Sequence, residues 1–226
     1  MERAELHRLT RGVYADGPTG SGWCAEDETL RAMFLRLPPQ ALLGRQSAAR
    51  RLGFGVLRPA GIHVVLPPEV ARPRIPGVVV HHEVLPVTAP VLVRGVPCVP
   101  PAHCAIDLAR TVRRADALPV LDAVLRAGLC DMDELLAEVA RHQALRGVRQ
   151  ARELVPLADA RAECRQESQL RLVLIDGKLP PPEPQIWVTD STASSVTGST
   201  SAIASGGSVW STTAFRTSIA TGYARS

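Results

Sequence analysis

The sequence reads IHVVL at residues 62–66, VVVHH at residues 78–82 and VLV at residues 91–93, and these three runs decide the fold. Each run is short, rich in β-branched residues and bounded by proline or glycine, which is typical of strands in a small sheet. From residue 103 onward the apolar residues recur with a helical period. The sequence therefore predicts an α+β fold, in which helices flank a small β-sheet.

Helices are predicted on both sides of these strands. An acidic first turn opens a helix over 26–37, and Gly53 ends a shorter helix over 45–52. Asp131 and Glu134 have the spacing of a capping box at the start of another helix. The remaining predicted elements are helices around 106–110, 118–127, 148–155 and 163–176, a strand or turn fragment over 6–14, and a strand over 185–188.

Composition places the chain among ordinary globular proteins. It has 226 residues, of which 46% are hydrophobic and 21% are charged, so wholesale disorder is excluded. No apolar run approaches the roughly 20 residues of a membrane helix, and no secretory signal is visible. The five cysteines form no C-x-x-C pair, and their odd number disfavours a disulfide framework. We therefore expect a cytoplasmic protein that has no membrane partner.

The charges are distributed unevenly along the chain. The last 36 residues, 191–226, contain two arginines and no acid, which leaves 24 basic and 22 acidic residues in 1–190, a net charge of +2. A strongly basic DNA-binding domain would be more asymmetric. Ser and Thr supply 17 of those last 36 residues, and neither a helical nor a strand period is visible there, so the tail is predicted to be disordered.

Several short motifs follow one another in order along residues 6–190. They are LTRGVY at 9–14, SAARRLG at 47–53, PGVVVH at 76–81, GVPCVPPA at 95–102, IDLA at 106–109, ESQLR at 167–171 and GKLPPPEP at 177–184. Together they resemble actinobacterial proteins that join an AbiEi-like antitoxin region to a very-short-patch-repair-like endonuclease of restriction-endonuclease fold. The resemblance implies a remnant of an N-terminal winged-helix region over 1–20, an antitoxin core over 21–158, the start of a truncated nuclease domain over 159–190, and the tail over 191–226.

The tail lacks the sequence motifs LDL and VEYDG, which supply the metal-binding carboxylates in that family. GC-rich codons for residues 197–214, when read one base earlier, permit the sequence YRLDLGYREWRVGVEYDG. We therefore interpret the tail as out of frame, after a one-base deletion near the codons for residues 190–192. The N-terminus is also short of the family pattern, because only a few residues precede Leu6 where a recognition helix would be expected.

Glu167 is the catalytic carboxylate that the resemblance implies, as one auxiliary acid of an incomplete site. Nucleases of this type gather two or three carboxylates around a hard divalent ion. An intact family member is expected to use Mg²⁺, whereas this chain as written is expected to hold no metal and no cofactor. The alternative is that Glu167 is a solvated charge on a helix face.

Arg45, Arg50 and Arg51 form a small basic cluster that could contact DNA phosphates. A solvated helix face explains the three arginines equally well. With this cluster and a net charge of +2, any DNA binding is expected to be weak and non-specific.

A zinc site is the remaining candidate. Its conceivable ligands are His81, His82, Cys98, His103 and Cys104. Neighbouring residues of a strand point to opposite faces, so one ion cannot readily bind both His81 and His82. We expect sheet-edge histidines, small buried thiols and, at Asp107, a structural polar residue.

Three hypotheses for the function follow. The first is a non-catalytic antitoxin-like protein of the transcriptional-regulator type, from a type IV toxin–antitoxin system, with a cognate toxin as its partner. The second is a metal-dependent DNA endonuclease, if the frameshift is a sequence error. The third is a pseudogene product without a function.

Overall fold

The computed structural model describes residues 6–10, 12–16, 23–179, 183–189, 195–205 and 208–211. The chain divides into two compact units, Met1–Ala160 and Arg161–Ser226. The observed class is the expected mixture of helices and sheet, α+β. In the part of the chain that the structure describes, no helix is long and apolar enough to cross a membrane.

The first unit opens with an antiparallel hairpin of β1 (Leu6–Thr10) and β2 (Val13–Asp16). The sequence predicted a single strand or turn fragment here, and the two strands instead reverse at Gly12, whose φ of +82° suits a residue without a Cβ. Helix α1 (Trp23–Phe34) follows and begins three residues before its predicted start. Its last turn precedes the two prolines at 38 and 39 that were expected to end it.

A five-stranded mixed sheet forms the centre of the first unit. Its strands are β3 (Leu42–Leu43), β4 (Ile62–Leu66), β5 (Val78–His82), β6 (Val91–Val93) and β7 (Val96–Cys98). Their order in the sheet is β5-β4-β3-β7-β6. β4 pairs parallel with β5 and antiparallel with β3, β3 pairs parallel with β7, and β6 and β7 form a hairpin. The three predicted runs are strands, whereas β3 and β7 were not predicted.

The two faces of this sheet have different partners. Alternation places Val64, Leu66 and Val80 on one face, where they pack with Met33 and Leu37 in an apolar cluster. Helix α2 (Arg45–Leu52) packs on β4. The approach is close enough that a Cβ at position 44 would lie 2.6 Å from Val65 Cγ1. A glycine before α2 is therefore required by space. Gly53 ends α2 with φ +98°, as predicted.

A layer of helices completes the first unit. They are α3 (Pro101–Thr111), α4 (Arg114–Arg126), α5 (Met132–Arg141) and α6 (Val148–Leu154), followed by a 3₁₀ turn over Val155–Leu157. α3 lies at the centre, in contact with α2, α4, α5 and α6, and its residues 103–109 are all buried. Leu118, Leu121 and Leu135 are fully buried around it, each at about 1.5–3 kcal/mol of stabilisation.

Helix α4 corrects one prediction and α5 confirms another. Pro119 was expected at the start of a helix over 118–127, but α4 begins at Arg114 and contains Pro119 in its interior. The earlier start is supported by Arg113, whose guanidinium donates to the first-turn carboxylate of Asp116 at 2.9 Å.

The capping box at Asp131 and Glu134 is present at the start of α5, with both reciprocal hydrogen bonds formed.

The second unit contains α7 (Arg165–Asp176) and a three-stranded antiparallel sheet of β8 (Glu183–Thr189), β9 (Ser195–Ser205) and β10 (Ser208–Ser211). Strands β9 and β10 lie within the segment for which a disordered tail was predicted. Their β-branched valines, threonines and isoleucine have the strand preference that the Ser/Thr-rich composition obscured. The parts of the tail at 190–194, 206–207 and 212–226 lie outside the described residues.

Candidate functional site

Helix α2 carries the three arginines that the sequence analysis singled out, and the structure directs them to different places. The Arg45 side chain turns inward to α3, where its Nε lies 2.5 Å from Asp107 Oδ2 and a terminal nitrogen donates to Thr111 Oγ1 at 2.5 Å. Asp107 is buried, which fits its expected structural role. For Arg45 the expectation of a solvated helix face is therefore wrong.

The Arg51 side chain also points into the interior of the fold. It forms an ion pair with Asp27 of α1, and it donates to the carbonyl oxygens of Val93 at 3.2 Å and Arg94 at 3.1 Å. The hydrogen bond from Arg51 holds the pKa of the Asp27 carboxyl below its ordinary value. The Arg51 side chain is only 9% exposed, so a solvated face is wrong here too. Arg50 alone of the three lies at the surface.

Arg50 and Arg51 both line a cavity of about 520 Å³ between α1, α2 and β4. Asp27 and Arg94 are its other charged lining residues, and Leu30, Leu43 and Ile62 supply apolar walls. We call this the arginine-lined cavity. Its size lies within the range of about 300–1,000 Å³ that is usual for small-molecule sites.

The turn between β6 and β7 brings Arg94 to the rim of this cavity. Arg94 and Gly95 are the two central residues of the hairpin loop, and both have positive φ, +48° and +78°. Asn and Gly are the residues that favour such positions, so an arginine there carries conformational strain. The Arg94 side chain is 62% exposed, and its guanidinium lies 3.5 Å from Asp27 Oδ2.

A second group of charged side chains follows one face of the buried helix α3. Arg110 lies 2.5 Å from Asp107 Oδ1 and 3.8 Å from Glu83 Oε1, and Glu83 Oε2 lies 3.8 Å from His103 Nε2. His103, Asp107 and Arg110 are spaced by four and three residues, which places them on one side of the helix. Positive and negative groups alternate along this line, so each buried charge has a partner of opposite sign.

Glu138 of α5 continues this line beyond His103. Its Oε1 is 2.8 Å from His103 Nδ1 and 3.0 Å from His142 Nε2, and its Oε2 accepts from Arg141 at 2.6 Å. Burial alone would lower the pKa of His103, but hydrogen bonds to Glu138 and Glu83 outweigh it and raise that pKa to about 9. Hydrogen bonds from His103, His142 and Arg141 likewise outweigh burial and hold the pKa of Glu138 well below its ordinary value.

His103, Glu138 and His142 are the group of described residues whose spacing could hold a metal ion, since one ligand atom of each lies within 4.8 Å of the others. In this arrangement Nδ1 of His103 and Nε2 of His142 both lie at hydrogen-bonding distance from the same oxygen, Oε1 of Glu138. Arg141 donates a hydrogen bond to the other carboxylate oxygen, Oε2 of Glu138. These contacts describe a hydrogen-bonded ionic cluster, so we assign the three residues a structural role.

Glu167 is fully buried near the start of α7, where its Oε2 accepts from the Glu163 backbone N–H at 2.8 Å. The alternative interpretation, a solvated charge on a helix face, is therefore wrong. Glu163 precedes the N-cap residue Cys164, so this hydrogen bond ties the segment that enters α7 to the first turn of the helix. Glu167 is not part of the three-residue group that could hold an ion in the described segments.

The residues that the sequence suggested as zinc ligands are not brought together in the structure. His81 stacks on His63, with their rings 5.2 Å apart, while His103 belongs to the cluster with Glu138. The Cys104 thiol donates to the Arg45 carbonyl oxygen at 3.3 Å. Burial raises the pKa of Cys98 to about 11 and also raises that of Cys104, so both remain protonated, as expected for buried thiols.

Sequence reasoning missed several residues of the arginine-lined cavity and of the ionic cluster around Glu138, among them Arg94 and Arg141. Glu138 and His142 are four residues apart on a helix, a spacing that could have indicated a contact. Glu83 and Asp27 had no such signal, because their partners lie 20 or more residues away along the chain, at His103 and Arg51.

One family model matches most of the first unit. The model of the family described as the AbiEi antitoxin C-terminal domain matches residues 40–157. Two proteins of Mycobacterium tuberculosis, the uncharacterized proteins MT2308 and Rv2248, are each 41% identical over 186 residues. That match covers 82% of this chain and 65% of theirs, so the chain spans less than two thirds of these relatives. The crystal structure of the RV2827C protein of Mycobacterium tuberculosis is similar at a TM-score of 0.47 and 22% identity, over 80% of this chain and 68% of that one.

Proposed function

Since the chain belongs to the AbiEi antitoxin C-terminal domain family, we propose that it is a non-catalytic antitoxin of a type IV toxin–antitoxin system that acts in the cytoplasm. The observation that carries this proposal is the extent of the family match. Residues 40–157 run from just before β3 to the 3₁₀ turn, so they include the whole five-stranded sheet and helices α2 to α6. The matched region therefore contains both the central sheet and the helices that pack beside it.

The partners that follow from this role are a cognate toxin and, for autoregulation, DNA. Of the three arginines on α2 only Arg50 is exposed, so the support for DNA binding is limited to this residue. We therefore propose weak, non-specific DNA association through Arg50, with an affinity that falls steeply as the salt concentration rises.

The antitoxin role is tested by growth rescue. The full chain is co-expressed with the product of the gene adjacent to its own, and its own promoter is fused to a reporter in the same host. We expect the chain to restore growth and to lower reporter output. Leu121→Asp, which places a charge in the core, should abolish both effects, while Arg149→Gln at an exposed position should retain both. Failure of the wild-type chain in both assays would contradict the antitoxin role.

A metal-dependent endonuclease is the second candidate, and the out-of-frame reading of residues 197–214 is the observation that favours it. We propose that the intact reading frame encodes the missing carboxylates, with Mg²⁺ as the cofactor and Glu167 as an auxiliary acid. The third candidate, a pseudogene product without a function, shares the frameshift. Resequencing the gene across codons 185–200 separates the second candidate from the other two.

The chain as written gives two further tests of the truncated nuclease. It should not cleave DNA with Mg²⁺ or Mn²⁺, and cleavage that survives Glu167→Ala in a clean preparation would contradict the truncated-site proposal. Backbone amides in an out-of-frame tail should exchange rapidly with solvent deuterium. Strong protection anywhere in 191–226, including the strands β9 and β10, would contradict the frameshift.

A further inference from the structure

We propose that the arginine-lined cavity binds a small organic phosphate, an apolar body carrying one phosphate monoester, of the size of a nucleoside monophosphate. This assignment does not rest on the antitoxin role. It starts from the cavity's volume of about 520 Å³ and from its mixed lining of apolar and charged residues.

The charges around the cavity favour an anion. Arg50, Arg51 and Arg94 contribute three positive charges and Asp27 one negative charge, so the charged residues of the lining leave a net charge of +2. A phosphate monoester carries about −1.5 to −2 at neutral pH, which matches this balance. Guanidinium groups also bind phosphate oxygens through paired hydrogen bonds, and a lysine would not offer that geometry.

The three arginines have different roles. Arg51 is fixed by Asp27 and by the carbonyls of Val93 and Arg94, so it fastens the turn between β6 and β7 to α1 and α2. Arg94 is thereby held at the rim, with its side chain 62% exposed. Arg50 lies at the surface on α2. Because the side chains of Arg50 and Arg94 are exposed and that of Arg51 is only 9% exposed, Arg50 and Arg94 are assigned to the phosphate and Arg51 is a positioning residue.

The backbone at Arg94 agrees with a ligand-binding role for its side chain. A two-residue hairpin loop with both φ angles positive would be less strained with Asn or Gly at position 94. Placing an arginine there costs stability and gains a guanidinium at the rim of the cavity. Strain of this kind concentrates at ligand-binding positions.

The walls select the organic part of the ligand. The half-buried Leu30 and Ile62 offer no hydrogen bonds, and inorganic phosphate alone would leave them in contact with water. The Ser47 hydroxyl, also in the lining, already donates to the Gly61 carbonyl and accepts from the His63 N–H. A flat apolar body such as a base or an aromatic ring would cover these walls while its phosphate reaches the rim.

The test is calorimetric titration of the full chain with adenosine 5′-monophosphate, with adenosine and inorganic phosphate as the two halves of the probe. We expect the monophosphate to bind at least about tenfold more tightly than either half. Arg94→Asn keeps a residue that tolerates positive φ, and Arg50→Gln keeps the helix, so each variant removes one guanidinium with the fold retained. Each should weaken monophosphate binding about tenfold. Arg149→Gln, which removes a 94% exposed arginine on α6, is the matched control and should bind like wild type.

Several outcomes would overturn the proposal. Absence of monophosphate binding, equal binding of adenosine or of inorganic phosphate, and unchanged affinity in both arginine variants would each do so. A DNA duplex that displaces the monophosphate and itself loses affinity in Arg50→Gln and Arg94→Asn would also overturn it, because the cavity rim would then belong to a nucleic-acid surface. Should Arg94→Asn fail to fold by circular dichroism, Arg50→Gln decides alone.

Discussion

Glu138 is the residue on which the buried charges of the first unit converge. One of its carboxylate oxygens is hydrogen-bonded to both His103 and His142, and the other accepts a hydrogen bond from Arg141. His103 in turn faces Glu83, and Glu83 faces Arg110. A buried charge is tolerable when such partners satisfy it, and removing one partner leaves the others desolvated and unpaired.

We expect Glu138→Ala to lower the free energy of unfolding by about 3–5 kcal/mol, because it leaves two buried histidines without their acceptor. Urea unfolding followed by circular dichroism measures this change. Glu153→Ala is the matched control, since Glu153 forms exposed ion pairs with Arg114 and Arg149 and should cost no more than about 1 kcal/mol. Equal losses in the two variants would contradict a central role for Glu138.

His103 should make the stability of the protein depend on pH above neutrality. Its pKa is raised to about 9 in the folded protein from an ordinary value of 6.5, through its hydrogen bonds to Glu138 and Glu83 against the cost of burial. The stabilising contribution is therefore complete below pH 6.5 and is lost as the pH rises toward and through about 9. Unfolding free energies measured from pH 6 to pH 9.5 should fall by roughly 3 kcal/mol.

His103→Gln tests the origin of that pH dependence, because the glutamine does not titrate. The variant should be less stable at pH 6 and should show a much flatter profile up to pH 9.5. A profile that keeps the slope of the wild type would assign the dependence to another group.

At the scale of elements, the sequence predicted best where a local interaction determines the structure. The capping box at Asp131 and the left-handed cap at Gly53 depend on neighbours within a few residues, and both were found as expected. Strands β3 and β7 were missed, because β3 has two residues and β7 contains Pro97, which usually disfavours a strand. The place of β3 is fixed by its pairing with β4 and β7, which lie far along the chain.

The candidate site follows the same distinction. Sequence patterns identified the α2 arginines, but not that two of them would be neutralised by Asp27 and Asp107, which are 24 and 62 residues away along the chain. Nor could they indicate that Glu167 would be buried against a backbone N–H. Tertiary contacts decide whether a charge is solvated, and those contacts leave no periodic signal in the sequence.

Asp131→Ala should lower the free energy of unfolding by about 1 kcal/mol, because it removes the acceptor for the Glu134 backbone N–H at the start of α5. Thermal or urea unfolding measures the loss. Asp133→Ala in the same first turn is the control, since it removes a charge of the same sign near the same helix end without removing the cap. The cap is unimportant if the two variants lose the same amount.

At the scale of the whole molecule, the chain consists of two compact units, and the family match lies within the first. The buried helix α3 and the sheet it accompanies belong to Met1–Ala160. The predicted division between antitoxin core and nuclease start, at 158 and 159, lies close to the division between the units. The first unit therefore contains its own core and should fold on its own contacts.

Deleting residues 191–226 should change the unfolding free energy of the first unit by less than about 1 kcal/mol, because no residue of that tail belongs to it. Hydrogen exchange of α3, α4 and α5 reports on the first unit directly. Loss of protection in these helices after the deletion would show that the tail supports the antitoxin core.

The two-residue strand β3 has a mechanical consequence. Leu42 and Leu43 join the parallel pair of β4 and β5 to the hairpin of β6 and β7, and the central sheet has no other link between its halves in the described strands. A stretching force across the sheet is therefore resisted at this seam by the fewest hydrogen bonds. The seam would rupture first, and each half would leave the seam as an intact two-stranded piece.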